Sequence, residues 1–167
     1  MPNVTVSLVV RDLTAADLDA LDWSGSASHL VAVREELRRA ESGEVEYLVA
    51  AATSGLPIGK AGIDYARHAG AGTIYQAAVH PAMQSCGIGT LLFGEAERRI
   101  RSRGLGRAEL GVEQDNRRAR ALYERLGYVA YGDAPDEWDI EGPAGEVVRY
   151  RTMCTLMRKP LTKSVLR

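Results

Sequence analysis

The residues best placed to do chemistry are Gln84-Ser85-Cys86-Gly87-Ile88-Gly89-Thr90, a turn rich in backbone donors. The apolar run Ile74, Ala77, Ala78, Val79 precedes it and stops at His80-Pro81, where proline cannot continue a central strand. Ile88, Leu91, Leu92, Ala96 and Ile100 follow at three- and four-residue steps, the period of an amphipathic helix. A helix that begins inside glycines leaves several N–H groups unpaired, and its dipole adds positive potential at the same place. Such a turn binds phosphate through backbone alone.

The elements that must position this turn read in order along the chain. Val4 to Val10 is a strand, and Thr14 or Asp17 caps a helix carrying Leu18 and Leu21. His29 to Ala40 is a second helix. Val45 to Ala52 and Ile58 to Ala66, joined at Gly55-Leu56-Pro57, form a hairpin. Arg107 to Val112 is a strand after the long helix. Asn116 starts a helix with Ala119, Leu122, Tyr123 and Leu126 on its apolar face, capped by Gly127. Tyr128 to Tyr131 and Val147 to Met157 are the last strands, and Gly132 to Gly145 between them reads as an exposed, turn-rich excursion. The order β-α-α-β-β-β-α-β-α-β-β predicts an α/β fold with a mixed sheet, and the 167 residues are read as a single domain.

Composition narrows the partners. A formal net charge of -1 gives no electrostatic attraction to nucleic acid or to an anionic membrane. Basic side chains are nearly all arginine, 18 against 3 lysines, which genomic base composition explains as readily as function. The opening residues do not read as a signal peptide, and no apolar run approaches the roughly 18 residues of a membrane span. Cys86 and Cys154 are too few for a disulfide scaffold or a zinc site, so no metal is expected. A cytoplasmic protein with reduced thiols is the expectation, and homodimerisation stays open.

The glycine pattern alone is weak: at this chain's Gln, Arg and Gly content about 0.2 chance matches are expected. The chain carries its own decoy, Arg101-Ser102-Arg103-Gly104-Leu105-Gly106, which sits at a helix end and leads into a strand. That copy reads as a cap and a turn. The copy at Gln84 follows a strand and opens a helix. There is no Gly-Lys-Ser/Thr of a P-loop, and Leu92 stands where the dinucleotide fingerprint needs its third glycine.

A second set of residues joins the turn: Asn116, Ala119, Tyr123, Gly127 and Tyr128. Together with Gln84 to Thr90 they resemble the GNAT superfamily of acyl-CoA-dependent N-acyltransferases, over residues 73 to 128. The resemblance implies a mostly antiparallel sheet flanked by about four helices. It implies acetyl-CoA as co-substrate and a primary amine of a small molecule or a protein as acceptor. By the same resemblance Val79 offers backbone to the pantetheine arm, and Gln84, Ser85, Cys86, Gly87, Ile88, Gly89 and Thr90 hold the diphosphate. Asn116 contacts the pantetheine region, and Tyr123 is the catalytic acid beside the thioester sulfur.

Each assignment has a structural rival. Tyr123 also fits a core tyrosine, Asn116 an N-cap, and Cys86, which stands where relatives carry a basic residue, a loop filler. The general base is open among Glu113, Asp64, His68, His80, Glu137 and a water chain, because Gln76 and Gly111 occupy the two places where relatives carry glutamate. A non-catalytic acyl-CoA-binding domain of the same fold and a nucleotide-binding α/β protein are the competing functions.

Overall fold

A computed structural model describes residues 1–162. Seven strands form one sheet: β1 (Leu8–Asp12), β2 (Val45–Ala52), β3 (Pro57–Asp64), β4 (Ala71–Val79), β5 (Arg107–Glu113), β6 (Val129–Glu141) and β7 (Val147–Pro160). Their order across the sheet is β1-β2-β3-β4-β5-β7-β6. Neighbours are antiparallel except β4 and β5, which run parallel. The connection between those two carries α2 (Ile88–Ser102), because parallel neighbours need a crossover and a helix supplies it. The expected α/β class and mixed, mostly antiparallel sheet are what the chain forms.

The core lies on both faces of β3, all eight of whose residues are buried. On one face Ile88, Leu92, Phe93, Ala96 and Ile100 of α2 pack with Ile58, Ala61, Ile63 and Ile74. Gly59 sits under α2 so closely that a Cβ there would lie 2.9 Å from Ile88 and Leu92 carbons. On the other face α1 (Ala27–Glu41) brings Val33 against Leu18, Leu21, Tyr47 and Val49. The third helix, α3 (Arg117–Arg125), lies between β5 and β6 in the chain.

Three elements differ from the sequence expectation. The opening strand starts at Leu8 rather than Val4, where its pairing with Ala52 begins. The helix expected after Thr14 is a 3-10 segment, Ala15–Ala20, followed by a second one at Asp22–Ser24. Its capping carboxylate is engaged from outside as well: Asp17 accepts both Arg11 guanidinium nitrogens at 2.8 Å and the Thr14 N–H at 2.9 Å.

The largest correction is the stretch Gly132 to Gly145. Most of it is β6, which pairs with β7 as far as Glu141 opposite Val147. Both faces of this ribbon are largely exposed, so it has no apolar alternation to announce a strand. Cross-strand pairs hold it instead: Trp138 stacks at 5.0 Å from Tyr150, Glu137 meets Arg151 at 3.0 Å and Asp139 meets Arg149 at 3.1 Å.

Candidate functional site

The geometry begins with a backbone irregularity. β4 and β5 pair only from Ala71 opposite Arg107 to Thr73 opposite Glu109. Beyond that point β4 keeps β3 as its partner, and the β3–β4 register shifts between Lys60 and Gly62. Gln76 has φ of 50°, outside the extended region. A bulge adds a residue to one strand, bends it and increases its twist. Here it carries the second half of β4 away from β5 and opens a cleft between them.

The chain leaves the open end of β4 through His80, whose N–H donates to Ile58 O at 2.8 Å. A 3-10 turn, Pro81–Met83, follows, and His80 Nδ1 accepts the Ala82 N–H at 3.1 Å. Gln84 Nε2 reaches back to Val79 O at 3.4 Å. Ser85 has φ of 63° and Gly87 φ of 83°, so the backbone curls before α2 starts. The first backbone bond of α2 runs from the Leu91 N–H to Gly87 O at 3.1 Å. The N–H groups of Ile88, Gly89 and Thr90 precede that bond and have no intrahelical acceptor. Gly87 is the N-cap and offers no side chain to satisfy them. Unpaired amides and a helix dipole together favour an anion. The decoy at Arg101 forms the C-terminal cap of α2, with the Gly104 N–H on Arg101 O at 2.8 Å.

The second motif docks on the first. A Cβ on Gly89 would lie 3.0 Å from Leu122 Cδ2, so α3 packs against the start of α2. Arg118 Nη2 donates to Ser85 Oγ at 2.8 Å and brings a guanidinium to a turn that has no basic side chain of its own. Asn116 is the N-cap of α3, and its Oδ1 accepts the Ala119 N–H at 3.1 Å. Cys86 is exposed, with Sγ 3.6 Å from Gln84 O.

Tyr123 packs against the same apolar cluster as Val79 and Met83, with its ring 5.2 Å from Phe93 and 6.3 Å from Tyr128. Burial raises its phenol above the usual range. Val79 and the turn thus follow the unpaired end of β4, and α3, which carries Asn116 and Tyr123, docks on that turn through Leu122 and Arg118.

The five candidate bases separate. Asp64 lies opposite Thr73, at the closed end of the cleft. It is also committed to Arg39 at 2.9 Å and to the Ala66 N–H at 2.8 Å. His68 is near the same end, 3.3 Å from Glu109. Glu137 is out on the ribbon with Arg151. His80 and Glu113 lie at the open end: His80 stacks on Trp23 at 5.4 Å, and Glu113 accepts the Tyr150 hydroxyl at 2.7 Å.

Three residues had not stood out in the sequence: Arg118, Lys60 and Tyr47. Lys60 and Tyr47 are buried beside the bulge. A lysine within the otherwise apolar run of β3 was the one available signal.

Known proteins resemble this chain in sequence and in fold. The model of the acetyltransferase (GNAT) family matches residues 12–128. A mycothiol acetyltransferase of Beutenbergia cavernae is 47% identical over 61 residues, 36% of this chain and 20% of that protein. The match thus spans a fifth of that relative's length. The ribosomal-protein-S18-alanine N-acetyltransferase of Escherichia coli superposes with a TM-score of 0.68 at 20% identity, over 96% of this chain and 99% of that one. A spermidine N-acetyltransferase of Vibrio cholerae, solved with CoA and spermine, gives 0.69 at 19% identity, over 93% and 96%. At these identities the two structures establish a common fold.

Proposed function

The chain belongs to the acetyltransferase (GNAT) family, and we propose that it transfers an acetyl group from acetyl-CoA to a primary amine of a small molecule or a protein by direct attack. The observation that carries this reading is the parting of β4 and β5 beside a turn whose amides lack acceptors. An elongated thiol ester fits the cleft, and its diphosphate fits the amides of Ile88, Gly89 and Thr90. The whole chain is read as one acetyltransferase domain.

The residues divide the work by position. The turn from Gln84 to Thr90, with Cys86 contributing backbone only, holds the diphosphate, and Arg118 adds the cation that Cys86 does not. Val79 presents backbone along the pantetheine arm, and Asn116 contacts that arm while capping α3. Acetyl-CoA supplies an activated acyl carbon; the acceptor nitrogen forms its new bond there as the carbon–sulfur bond breaks. Tyr123 protonates the departing thiolate, since a phenol carries its proton at neutral pH. Of the side chains at the open end, Glu113 is the carboxylate placed to take the acceptor's proton, directly or through water. Much of the rate comes from holding acceptor and thioester in line.

A thiol-release assay with acetyl-CoA and a panel of amines tests the reading: CoA release with at least one amine is expected. One observation favours a second reading, an acyl-CoA-binding domain without turnover, namely that Gln76 stands at the bulge and cannot take a proton. Binding of acetyl-CoA in calorimetry with no CoA release across the panel would decide for it.

A further inference from the structure

Lys60 has none of its surface exposed, and the proposed chemistry gives it no task. Its Nζ donates to Tyr47 Oη at 3.0 Å and to the backbone carbonyl of Gln76 at 2.9 Å. Tyr47, also buried, donates its hydroxyl hydrogen to Gln76 Oε1 at 2.8 Å. Glu36 of α1 does not pair with the lysine; it accepts hydrogen bonds from Arg39 and Tyr75. A buried amine without a carboxylate is costly, and here neutral oxygens alone solvate it.

The direction of this chain of bonds follows from the donor inventory. Lys60 gives its N–H groups to Tyr47 and to the bulge carbonyl, so the phenol oxygen is an acceptor from that side. The single phenol hydrogen then needs an acceptor, and on Gln76 only Oε1 qualifies. Burial pushes Lys60 down to about 7, so neutral and charged forms coexist near neutrality. The charged amine has no lone pair, so in that form the direction is fixed; the neutral amine keeps two N–H groups for the same two acceptors. His29 of α1, neutral because burial pushes it down to about 4, is a second titratable group whose charge couples to Lys60.

With Oε1 occupied, the free end of the Gln76 side chain is its NH2 group. Gln76 is half-buried and stands at the bulge, where β4 leaves β5. We propose that Lys60 is a positioning residue which, through Tyr47, turns Gln76 so that its amide N–H groups face the cleft and donate to the acyl carbonyl oxygen of the bound thioester. The inference rests on the acetyl-transfer reading and gives the position at the bulge a role that glutamate could not fill. A donor aimed at that oxygen stabilises the negative charge it gains as the amine attacks.

Single and double variants test this, with kcat and the KM for acetyl-CoA read for the best amine in the panel. Gln76→Ala is expected to lower kcat about tenfold or more while KM changes less than about twofold. Tyr47→Phe and Lys60→Met should each lower kcat by a similar factor alone, and by less than about twofold in the Gln76→Ala background. Equal losses in both backgrounds, or an unchanged kcat in Gln76→Ala, would overturn the proposal. Should Lys60→Met not fold, Tyr47→Phe, which removes one hydroxyl, carries the test.

A second readout is independent of turnover. The chain has 3 glutamines, at 76, 84 and 114, so selective 15N labelling gives three resolvable side-chain amides. Acetyl-CoA, compared with CoA, should shift the Gln76 NH2 resonances in the wild type and not in Tyr47→Phe. If the wild type binds acetyl-CoA without any turnover, the acetyl-transfer reading falls while this shift still supports the orientation of Gln76. Identical Gln76 resonances with the two ligands would overturn it.

Discussion

Arg118 Nη2 donates to Ser85 Oγ at 2.8 Å, tying the first turn of α3 to the turn that opens α2. The contact puts a guanidinium beside amides that already favour an anion, and it does so from a different element than the one carrying Cys86. Arg118→Ala is therefore expected to weaken CoA binding about three- to tenfold at low salt, and less at high salt, where exposed charges are screened. Calorimetry at two ionic strengths checks this. Adding Cys86→Arg to that variant should restore the affinity, whereas an affinity indifferent to Arg118 would remove it from the phosphate site.

Tyr123 can act as an acid or serve only as packing between Phe93 and Tyr128, and one oxygen atom separates the two roles. Tyr123→Phe keeps the ring contacts at 5.2 and 6.3 Å while deleting the proton. Turnover is expected to fall about 10²-fold or more with CoA affinity and melting temperature nearly unchanged. Unaltered turnover would leave Tyr123 as a core residue.

Gly87 adopts φ of 83°, and a Cβ there would meet nothing within 4 Å. Gly87→Ala thus isolates backbone strain from steric overlap. The left-handed conformation costs an L-residue about 1–2 kcal/mol, read as a lower denaturant midpoint at constant slope. CoA affinity should fall as well, because relief of that strain re-aims the amides of Ile88 to Thr90.

The burial of Lys60 predicts a pH dependence of stability. Its folded value, about 7, lies below the ordinary 10.5, so between these limits the unfolded chain binds more protons than the native one. Stability from this group accordingly rises with pH across that window, by up to about 1.4 kcal/mol per unit, and the penalty is complete below it. Chemical denaturation of wild type and Lys60→Met at pH 7.5 and 9.5 checks the sign: the wild type should gain at least about 2 kcal/mol relative to the variant. A difference that stays constant would mean that Lys60 titrates normally.

Much of the site was legible locally. The strand ending at Val79, the start of α2 and the cap at Asn116 depend on dihedral limits and on bonds within a few residues, which composition and spacing expose. The ribbon from Gly132 to Glu141 was missed because its strand character comes from β7 across the pair, and its own exposed residues carry no apolar period. Asp17, read as a cap, proved also to be the anchor for Arg11. Gln76 looked merely unable to act as a base.

By itself, the sequence determined the local pieces: a strand, a donor-rich turn, a helix and a second capped helix, each dictated by steric and periodic rules acting over neighbours. The tertiary structure decided what those pieces enclose. The bulge that parts β4 from β5 is a matter of register against β3. The line from Lys60 to Gln76 crosses 16 residues, and the tie between Arg118 and Ser85 crosses 33. That both faces of β3 are buried, and which end of a glutamine amide is free, depend on partners that only the packed fold brings together.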